Sequence, residues 1–461
     1  MTWQLGIDVG TSTVKAVVTD PAGRVLASGS AATPWRQRGA WTEADAGDLL
    51  AAVLAAVRRA LDTWPAPGRP AGPAAGVGVT GFAESGVLLD GDGAACGPVI
   101  AWHDPRGEDL AAQLQASSLA TDFPARTGQP VTLRLTAVKY RWLREHIGSR
   151  AARARFLTVP EWVVLQLGGS PAPELSLWSR TGFLDIRQPC FLPEIAEWAG
   201  LPWRSLPDPA PAGTPSGRVS GWPQLPELRG AVLTVAGHDH VCAAYGAGVT
   251  DERDVCDSWG NGEALVRSRE ALPDVPGALA AGFSVSYHVL SGRRALFRGL
   301  GTGLVLRRIL ALLGSGDRDH GDLDRLTAAA SGLAVPRVRV GADDTVDVLG
   351  FPDSASPAGL WRAALLAVFD RVRAGITDLE RISGPVRRVV GCGGWLRSEP
   401  LRTFKEAQVP GFAASSVGEP AAVGAALLSG LAARCASGAG TSGTGTSGPG
   451  VSGPQGQIRE V

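Results

Sequence analysis

The chain has 461 residues, and 44% of them are hydrophobic, so it can bury large cores and its length favours two domains over one. The formal net charge is zero, which argues against a nucleic acid or an acidic membrane surface as partner. Six cysteines without metal-ligand spacing, no leader-like N-terminus and no apolar stretch of membrane-spanning length predict a cytoplasmic protein with reduced cysteines.

The first predicted hairpin reads LGIDVGTSTVKAVVTD over residues 5–20. An apolar run at 3–9 carries the carboxylate of Asp8, breaks into a polar turn at 10–13, and resumes with β-branched residues. Hydroxyl and backbone N–H groups in such a turn can cradle a phosphate, with Asp8 holding Mg²⁺ through water and Lys15 adding positive charge. The sequence is not a Walker loop. The alternative is a structural hairpin with a partly exposed aspartate.

Three elements follow in the first half of the chain. Residues 46–61 have helical spacing, and residues 76–81 and 98–102 are predicted strands. The first strand leads to Glu84, which is either a surface turn carboxylate or an acceptor for substrate hydroxyl groups. The second ends at Trp102, whose indole either stacks on a sugar or packs in the core, with Asp104 capping the next helix.

A second polar focus follows the predicted strand at 231–236, where the sequence reads GHDH before a small-residue helix at 241–248. Asp239 is either a helix N-cap or a general base for a hydroxyl proton. His238 and His240 flank it, but adjacent side chains in one turn converge poorly on an ion, so no zinc site is predicted.

Residues 254–266 repeat the opening pattern of strand, glycine-containing polar turn and strand. The second turn holds Gly260 and Asn261. Using one phosphate-turn topology twice predicts two related domains that clamp one nucleotide. Further on, Gly303 opens a helix, and a glycine loop with Gly393 and Gly394 follows a strand at 386–390, where the backbone can approach a flat base.

Taken together, these motifs resemble the FGGY family of carbohydrate kinases, within the actin, hexokinase and heat-shock ATPase superfamily. The resemblance covers residues 3–433 and implies an α/β fold of two actin-like (ribonuclease H-like) domains with a central cleft. It places the N-terminal domain at 1–248 and the C-terminal domain at 249–433. The Gly/Ser/Thr/Pro-rich segment 434–461 is predicted to be disordered, although Glu419 and Pro420 before it should start a last helix.

The resemblance also implies roles for single residues. Asp239 matches the catalytic base and Asp8 the Mg²⁺-associated carboxylate. ATP-binding positions fall on Gly10, Thr11, Ser12, Lys15, Gly260, Asn261, Gly303, Gly393, Gly394 and Ser398. Positions lining the sugar pocket fall on Glu84, Trp102, Asp239 and His240.

Three features depart from the family pattern. Asn261 stands where Gly-Thr is usual, and Cys392 interrupts the usual glycine run. Ala83-Glu84 stands where xylulose kinases place Met-His, and an extra carboxylate there would disfavour acidic substrates through unpaired like charge.

The predicted function is phosphorylation, with Mg-ATP, of a neutral ketose such as a pentulose, or of a polyol. The predicted partner is this small molecule, with a homodimer as a possible assembly. The main alternative is a catalytically weak or silent sugar- and nucleotide-binding regulator. An ATPase of the chaperone or cytoskeletal kind is disfavoured because no peptide-binding segment is evident.

Overall fold

The computed structural model describes residues 2–65, 72–148, 154–260, 262–314, 327, 335–341, 345–350, 353–354 and 356–438. Asn261 and residues 439–461 of the predicted tail lie outside these ranges. Residues 434–438 continue the last helix, so the prediction that disorder begins at 434 is wrong for this stretch.

The first part of the chain, up to residue 147, contains these elements in order: β1 (Gln4–Val9), β2 (Thr13–Thr19), β3 (Val25–Ala32), β4 (Arg36–Arg38), β5 (Trp41–Ala44), α1 (Ala46–Asp62), β6 (Gly76–Gly81), β7 (Gly86–Leu89), β8 (Val99–Ile100), α2 (Glu108–Ala116), α3 (Phe123–Thr127) and α4 (Thr136–Ile147). The predictions of a helix at 46–61 and a strand at 76–81 are confirmed. The strand predicted at 98–102 is wrong in length, because only Val99 and Ile100 pair with β5.

The middle part, up to residue 246, contains β9 (Arg155–Thr158), α5 (Val159–Gln166), α6 (Leu175–Trp178), α7 (Pro193–Ala199), β10 (Pro215–Arg218), β11 (Val232–His238) and α8 (Asp239–Gly246). The remaining part contains β12 (Asp254–Trp259), β13 (Glu263–Arg269), α9 (Val275–Ala280), β14 (Ser284–Tyr287), β15 (Arg294–Gly299), α10 (Thr302–Leu312), β16 (Arg337–Val340), β17 (Val346–Leu349), α11 (Pro357–Ser383), β18 (Arg388–Cys392), α12 (Glu399–Gln408), β19 (Phe412–Ala414) and α13 (Pro420–Gly438).

Two sheets organise the described residues, and their strands run in the same pattern. The first has the order β10-β11-β6-β1-β2-β3, and the second has the order β14-β15-β13-β12-β18-β19. In each, a central strand pairs antiparallel with the strand after it and parallel with a later strand on its other side. The predicted repeat of the opening hairpin is therefore confirmed, with β1 and β2 corresponding to β12 and β13.

Each sheet has its own hydrophobic core. Under the first sheet, α1 starts at the N-cap Asp45, which accepts hydrogen bonds from the backbone of Gly47 and Asp48. The apolar face of α1 then packs on the sheet through Leu49 and Val53. Under the second sheet, α10 and α11 contribute to a separate cluster. The two phosphate-turn hairpins thus rest on two independently packed layers.

The last helix, α13, returns to the first sheet and packs against β1 and β6. Close approach is possible because Gly6 has no side chain: a Cβ there would lie 1.8 Å from the carbonyl oxygen of Ala422. The predicted boundary that assigns residues up to 433 to the second domain therefore cuts across this packing. Glu419 precedes the helix rather than lying in its first turn, and its φ is +55°.

Among the described residues, one helix, α13, has the length and the apolar composition that crossing a membrane would need. Its mean hydropathy is 1.3. The expectation concerned an uninterrupted apolar stretch, and Ser429 and Arg434 interrupt the apolar residues of α13, so this helix does not contradict it. Half of the helix is buried, including Ala422, Val423 and Ala425, and this packing accounts for its apolar composition.

Candidate active site

A cavity of about 490 Å³ lies between the two sheets and brings together the two phosphate turns and the glycine loop. The predicted site residues that line it are Asp8, Gly10, Thr11, Ser12, Lys15, Asp239, His240, Gly260, Gly393 and Gly394. The hairpin geometry explains part of this grouping, because Asp8 on β1 pairs with Lys15 on β2 across the turn.

Asp8 is buried at the floor of this cavity. Its Oδ1 atom has no hydrogen-bond partner. Burial, reinforced by the charges of Asp239 and Glu419, raises the pKa of Asp8 to about 8, although Lys15 opposes this shift. An unpartnered hard oxygen donor fits Mg²⁺, which usually keeps several waters and takes further ligands from phosphates.

No larger metal centre accompanies Asp8 in the part of the chain that the structure describes. There, no group of three or more His, Cys, Asp and Glu side chains is arranged to hold a metal ion. His238 and His240 lie with ring centroids 5.6 Å apart. A single carboxylate beside a nucleotide is enough for magnesium, which would take its other ligands from phosphate and water.

Lys15 points into the cavity from β2 and forms an ion pair with Glu419, with 2.6 Å between Nζ and Oε2. Burial disfavours the charged form of Lys15, but Glu419 and Asp8 outweigh it and raise the pKa of this side chain. Glu419 also accepts a hydrogen bond from Arg397, beside the glycine loop. One carboxylate therefore links Lys15, beside the β1–β2 turn, to Arg397, beside the glycine loop.

Asp239 begins α8, directly after β11, and faces the same cavity. Its Oδ1 accepts a hydrogen bond of 2.7 Å from the backbone N–H of His240 and lies 3.2 Å from Nε2 of His238. Burial raises the pKa of Asp239 to about 7, with Glu84 adding to the shift. A carboxylate that titrates near neutral pH is suited to accept a hydroxyl proton.

A buried hydrogen-bond network fixes the backbone that carries Asp239. The hydroxyl of Ser176 accepts a 2.9 Å bond from the N–H of His238 and donates a 2.8 Å bond to Glu174 Oε2. Glu174 also accepts bonds from the first turn of α6. Because buried polar atoms are costly to leave unpaired, this network holds the strand-to-helix junction in one position.

Glu84 lies in the left-handed backbone region, with a φ of +56°. Its Oε1 accepts a 2.7 Å hydrogen bond from Nε of Arg180, and Arg180 also donates to the hydroxyl of Ser284 in the second sheet. The premise that Glu84 is an unpaired carboxylate is therefore wrong. A paired carboxylate keeps free lone pairs for substrate hydroxyl groups but contributes less repulsion to an acidic substrate.

Trp102 is hydrogen-bonded to the turn between β1 and β2. Its Nε1 donates a 3.1 Å hydrogen bond to Oγ1 of Thr11, and the ammonium group of Lys139 binds its carbonyl oxygen. Asp104, the proposed helix cap, instead accepts hydrogen bonds from Arg106, and Gly107 occupies the N-cap of α2. Trp102 packs against the core, as one of its two interpretations predicts, and stacking on a sugar stays a prediction.

His240 lines the cavity on the side of the second sheet. Its Nδ1 lies 2.9 Å from the hydroxyl of Ser258, and its ring packs near Phe297. Burial lowers the pKa of His240 to about 4, so the ring is neutral at pH 7. It can therefore hydrogen-bond a neutral substrate without adding charge.

The second turn and the glycine loop meet at very short range. Gly393 has a φ of +112°, and a Cβ there would lie 2.2 Å from the carbonyl oxygen of Trp259. Only glycine fits at position 393. Cys392, which interrupts the usual glycine run and also lines the cavity, therefore leaves the glycine that this close contact requires in place.

The structure does not bring every predicted nucleotide residue to the cavity. Gly303 is buried in the first turn of α10, and Ser398 caps α12 by accepting a hydrogen bond from Leu401. Neither lines the cavity among the described residues, and the same holds for Glu84 and Trp102 of the predicted sugar pocket. Asn261 lies outside the described residues.

Several residues outside the predicted set of site residues contribute to the site. Arg180 reaches Glu84, Glu419 reaches Lys15, and Ser176 supports the backbone beside Asp239. One available signal was lysine usage, since the 461 residues contain lysine at 15, 139 and 405 alone, and arginine supplies the other basic side chains. Each lysine lies in or next to this region.

Comparison with known proteins places this geometry in context. The sequence model described as the FGGY family of carbohydrate kinases, N-terminal domain, matches residues 3–246. The chain is 28% identical over 246 residues to glycerol kinase of Polaromonas naphthalenivorans, covering 51% of this chain and 48% of that protein. It is 29% identical over 286 residues to xylulose kinase of Streptomyces rubiginosus, covering 61% and 57%.

These alignments cover only part of each relative, which limits how far the function of a relative can be assigned to this chain. The chain spans about half the length of the curated relatives it matches first. Over nearly its whole length it is similar to the crystal structure of Plasmodium falciparum glycerol kinase with ADP, with a TM-score of 0.79, 18% identity, and coverage of 94% of this chain and 90% of that one. At this identity the likeness shows the fold, that of a two-domain α/β kinase.

Proposed function

Since the chain belongs to the FGGY family of carbohydrate kinases, we propose that it transfers the γ-phosphoryl group of Mg-ATP to a hydroxyl group of a small neutral sugar or polyol. The observation that carries this proposal is the position of Asp239, which faces the same cavity as Asp8, Lys15 and the glycine loop. In that arrangement a base, Asp239, a magnesium-binding carboxylate, Asp8, and a phosphate-binding turn with Lys15 would surround a single cavity.

Asp239 would act as the general base. Its carboxylate would accept the proton of the attacking hydroxyl group while the hydroxyl oxygen bonds to the γ-phosphorus and the bond to ADP breaks. Phosphoryl transfer has a loose transition state, so positioning and charge neutralisation do most of the work and a carboxylate of moderate basicity is sufficient. The pKa of Asp239, about 7, leaves enough of it ionised at neutral pH.

Asp8 would hold Mg²⁺ through water, and the ion would neutralise charge on the phosphates. The unpartnered Oδ1 of Asp8 supports this assignment. The first turn would bind phosphate through Thr11 and Ser12, with Lys15 contributing its charge. Binding the cation would also favour the ionised form of Asp8, whose pKa is about 8 in the free protein.

We propose a neutral ketose such as a pentulose, or a polyol, as the acceptor. Three observations support this choice. Glu84 is paired with Arg180, so the pair adds no net charge to this side of the site. His240 is neutral, and Asp239 would repel an acidic substrate. Trp102 offers an indole of the kind on which sugar C–H faces stack.

The test is ADP release with Mg-ATP across a panel of neutral ketoses, polyols and aldonates, run in parallel with Asp239→Asn. Asparagine preserves size and hydrogen bonding but cannot accept a proton. We expect sugar-dependent ADP release that falls by at least about 10³-fold in the variant, while calorimetric ADP binding is retained.

Other outcomes identify other functions. ADP release without sugar that is insensitive to Asp239→Asn would indicate a different ATPase. Binding of sugar or ATP without ADP release would favour the silent regulator. An aldonate as the best substrate would overturn the proposed neutral acceptor but not the kinase reaction.

A further inference from the structure

A group of three buried charged side chains lies beneath the second phosphate turn, and the reaction described above does not use it. Lys405 on α12 is fully buried, and its Nζ lies 2.7 Å from Oδ2 of Asp257 and also binds Oε1 of Glu263. Buried ion pairs seldom add net stability compared with apolar packing. The cluster therefore calls for another explanation.

The two carboxylates stand on either side of the second turn. Asp257 lies near the end of β12 and Glu263 begins β13, where it pairs directly with Trp259. Gly260 and Gly262, between them, both line the cavity. A shift in either strand end would therefore move the backbone that faces the nucleotide.

Aromatic side chains extend the contact from Lys405 to the glycine loop. The ammonium group lies 3.9 Å from the ring centroid of Trp259, which stacks on Trp395 with centroids 6.0 Å apart. Nε1 of Trp395 then donates a 3.1 Å hydrogen bond to the carbonyl oxygen of Gly260. The same lysine thus supports both the turn and the loop that lies against it.

Glu263 connects the cluster to a third segment. The hydroxyl of Thr302, the first residue of α10, donates to Oε2 of Glu263, and the N–H of Leu300 donates to its carbonyl oxygen at 2.7 Å. Gly303, predicted from the resemblance to contact nucleotide, follows Thr302 directly. The side chain of Glu263 therefore links the start of β13, next to the second turn, to Lys405 on α12 and to the first residue of α10.

We propose that Lys405, Asp257 and Glu263 are positioning residues that hold the second phosphate turn and the glycine loop in the geometry that binds Mg-nucleotide. This inference rests on the proposed function. None of the three lines the cavity among the described residues, so they act through Gly260, Gly262 and Gly393 rather than on the nucleotide. Their combined effect falls on nucleotide affinity and leaves sugar affinity unchanged.

The primary test is calorimetric binding of Mg-ADP to the full chain without sugar, comparing wild type with Lys405→Met. Methionine fills similar space but leaves two carboxylates without their cation. We expect the Kd for Mg-ADP to rise at least about tenfold and KM for sugar to change less than about twofold. The matched control is Arg267→Met, which removes a buried cation from β13. Its hydrogen-bond partners are all away from the turn and are Glu252, Ser383, Gly384 and Pro385. This variant should lower Tm without changing the Kd.

The double variant Lys405→Met with Asp257→Asn separates positioning from stability. Removing one charge of each sign should recover much of the lost Tm, but the Kd should stay raised because the contact with Trp259 is still missing. If the Kd returns with Tm, or if Lys405→Met lowers Tm and leaves the Kd unchanged, the cluster is only structural and the proposal is overturned.

If Lys405→Met does not fold, Trp395→Phe tests the same linkage, since it removes the bond to Gly260 and keeps an aromatic ring beside Trp259. A Kd raised at least about threefold supports the proposal, and a Kd within twofold of wild type overturns it. Because ADP binding is measured without sugar, an absent kinase reaction with intact ADP binding would count against the proposed function alone. Absence of ADP binding to wild type would overturn both.

Discussion

The ammonium group of Lys15 lies 2.6 Å from the carboxylate of Glu419, so the cation of the first phosphate turn is already neutralised by a residue of the same chain. Glu419 sits just before α13 and keeps a left-handed backbone conformation, which is unfavourable for a residue with a side chain. Arg397 binds its other oxygen. Nucleotide phosphates would have to compete with this carboxylate for Lys15.

Replacing Glu419 by glutamine should therefore improve nucleotide binding. Glu419→Gln removes a negative charge from the cavity wall and frees Lys15, so we expect KM for Mg-ATP to fall about threefold to tenfold. Steady-state kinetics at saturating sugar measure this. The control is Glu399→Gln, an exposed carboxylate in α12, which should leave KM unchanged. A higher KM for Glu419→Gln would mean that Glu419 orients Lys15 rather than competing for it.

The activity should show an acidic limb set by Asp239. Its pKa is raised to about 7, and the protonated form cannot accept the hydroxyl proton, so kcat/KM for sugar should fall about tenfold per pH unit below pH 7. Because the charge of Arg180 lowers this pKa and that of Glu84 raises it, Arg180→Gln should move the midpoint upward. Initial rates measured from about pH 5 to about pH 9 give the midpoints of the wild type and of Arg180→Gln. A midpoint near the ordinary aspartate value, or a downward shift in the variant, would contradict the assignment.

Glu84→Gln should change which acceptors are used. The variant leaves the guanidinium of Arg180 without its carboxylate, so the sugar side gains one unit of positive charge. We expect KM for the neutral substrate to rise and the ratio of aldonate to neutral-sugar kcat/KM to increase at least about tenfold. KM for Mg-ATP serves as the internal control and should not change. An unaltered KM for the neutral sugar would remove Glu84 from the substrate site.

Packing of α13 on the first sheet should be intolerant of any side chain at Gly6. The added methyl group of Gly6→Ala would overlap the carbonyl oxygen of Ala422, so the free energy of unfolding should fall by at least about 2 kcal/mol. Urea denaturation followed by tryptophan fluorescence measures this. The matched control is Gly91→Ala, at an open position with an ordinary φ, which should change stability by less than about 0.5 kcal/mol. Equal effects of the two substitutions would mean that α13 adjusts easily.

The sequence predicted the parts of the fold that local pattern determines. The hairpin around Asp8 and Lys15, the helix after Asp45 and the second hairpin at 254–266 all carry alternating or helical apolar spacing next to polar turns. Their agreement with the structure follows because burial of one face selects the period. The pairing of β1 with β6 and of β12 with β18 then follows the same pattern in both sheets.

Contacts between distant segments could not be predicted in this way. Arg180 and Glu84 are 96 positions apart in the sequence, and no local pattern marks either residue as a partner of the other. A glutamate before proline is typical of a first helical turn, but Glu419 lies outside α13 and forms ion pairs with Lys15 and Arg397. Tertiary charge pairing here outweighed local helix preference.

The return of α13 to the first sheet has a consequence for synthesis on the ribosome. β1, β6 and α8 emerge early, but the helix that covers them is made only after the whole second sheet. During that interval the apolar face of the first sheet is open to nonspecific association, and a fragment ending near residue 248 would expose it permanently. The nascent first half should therefore recruit holdase chaperones until residues 420–438 have been translated and docked.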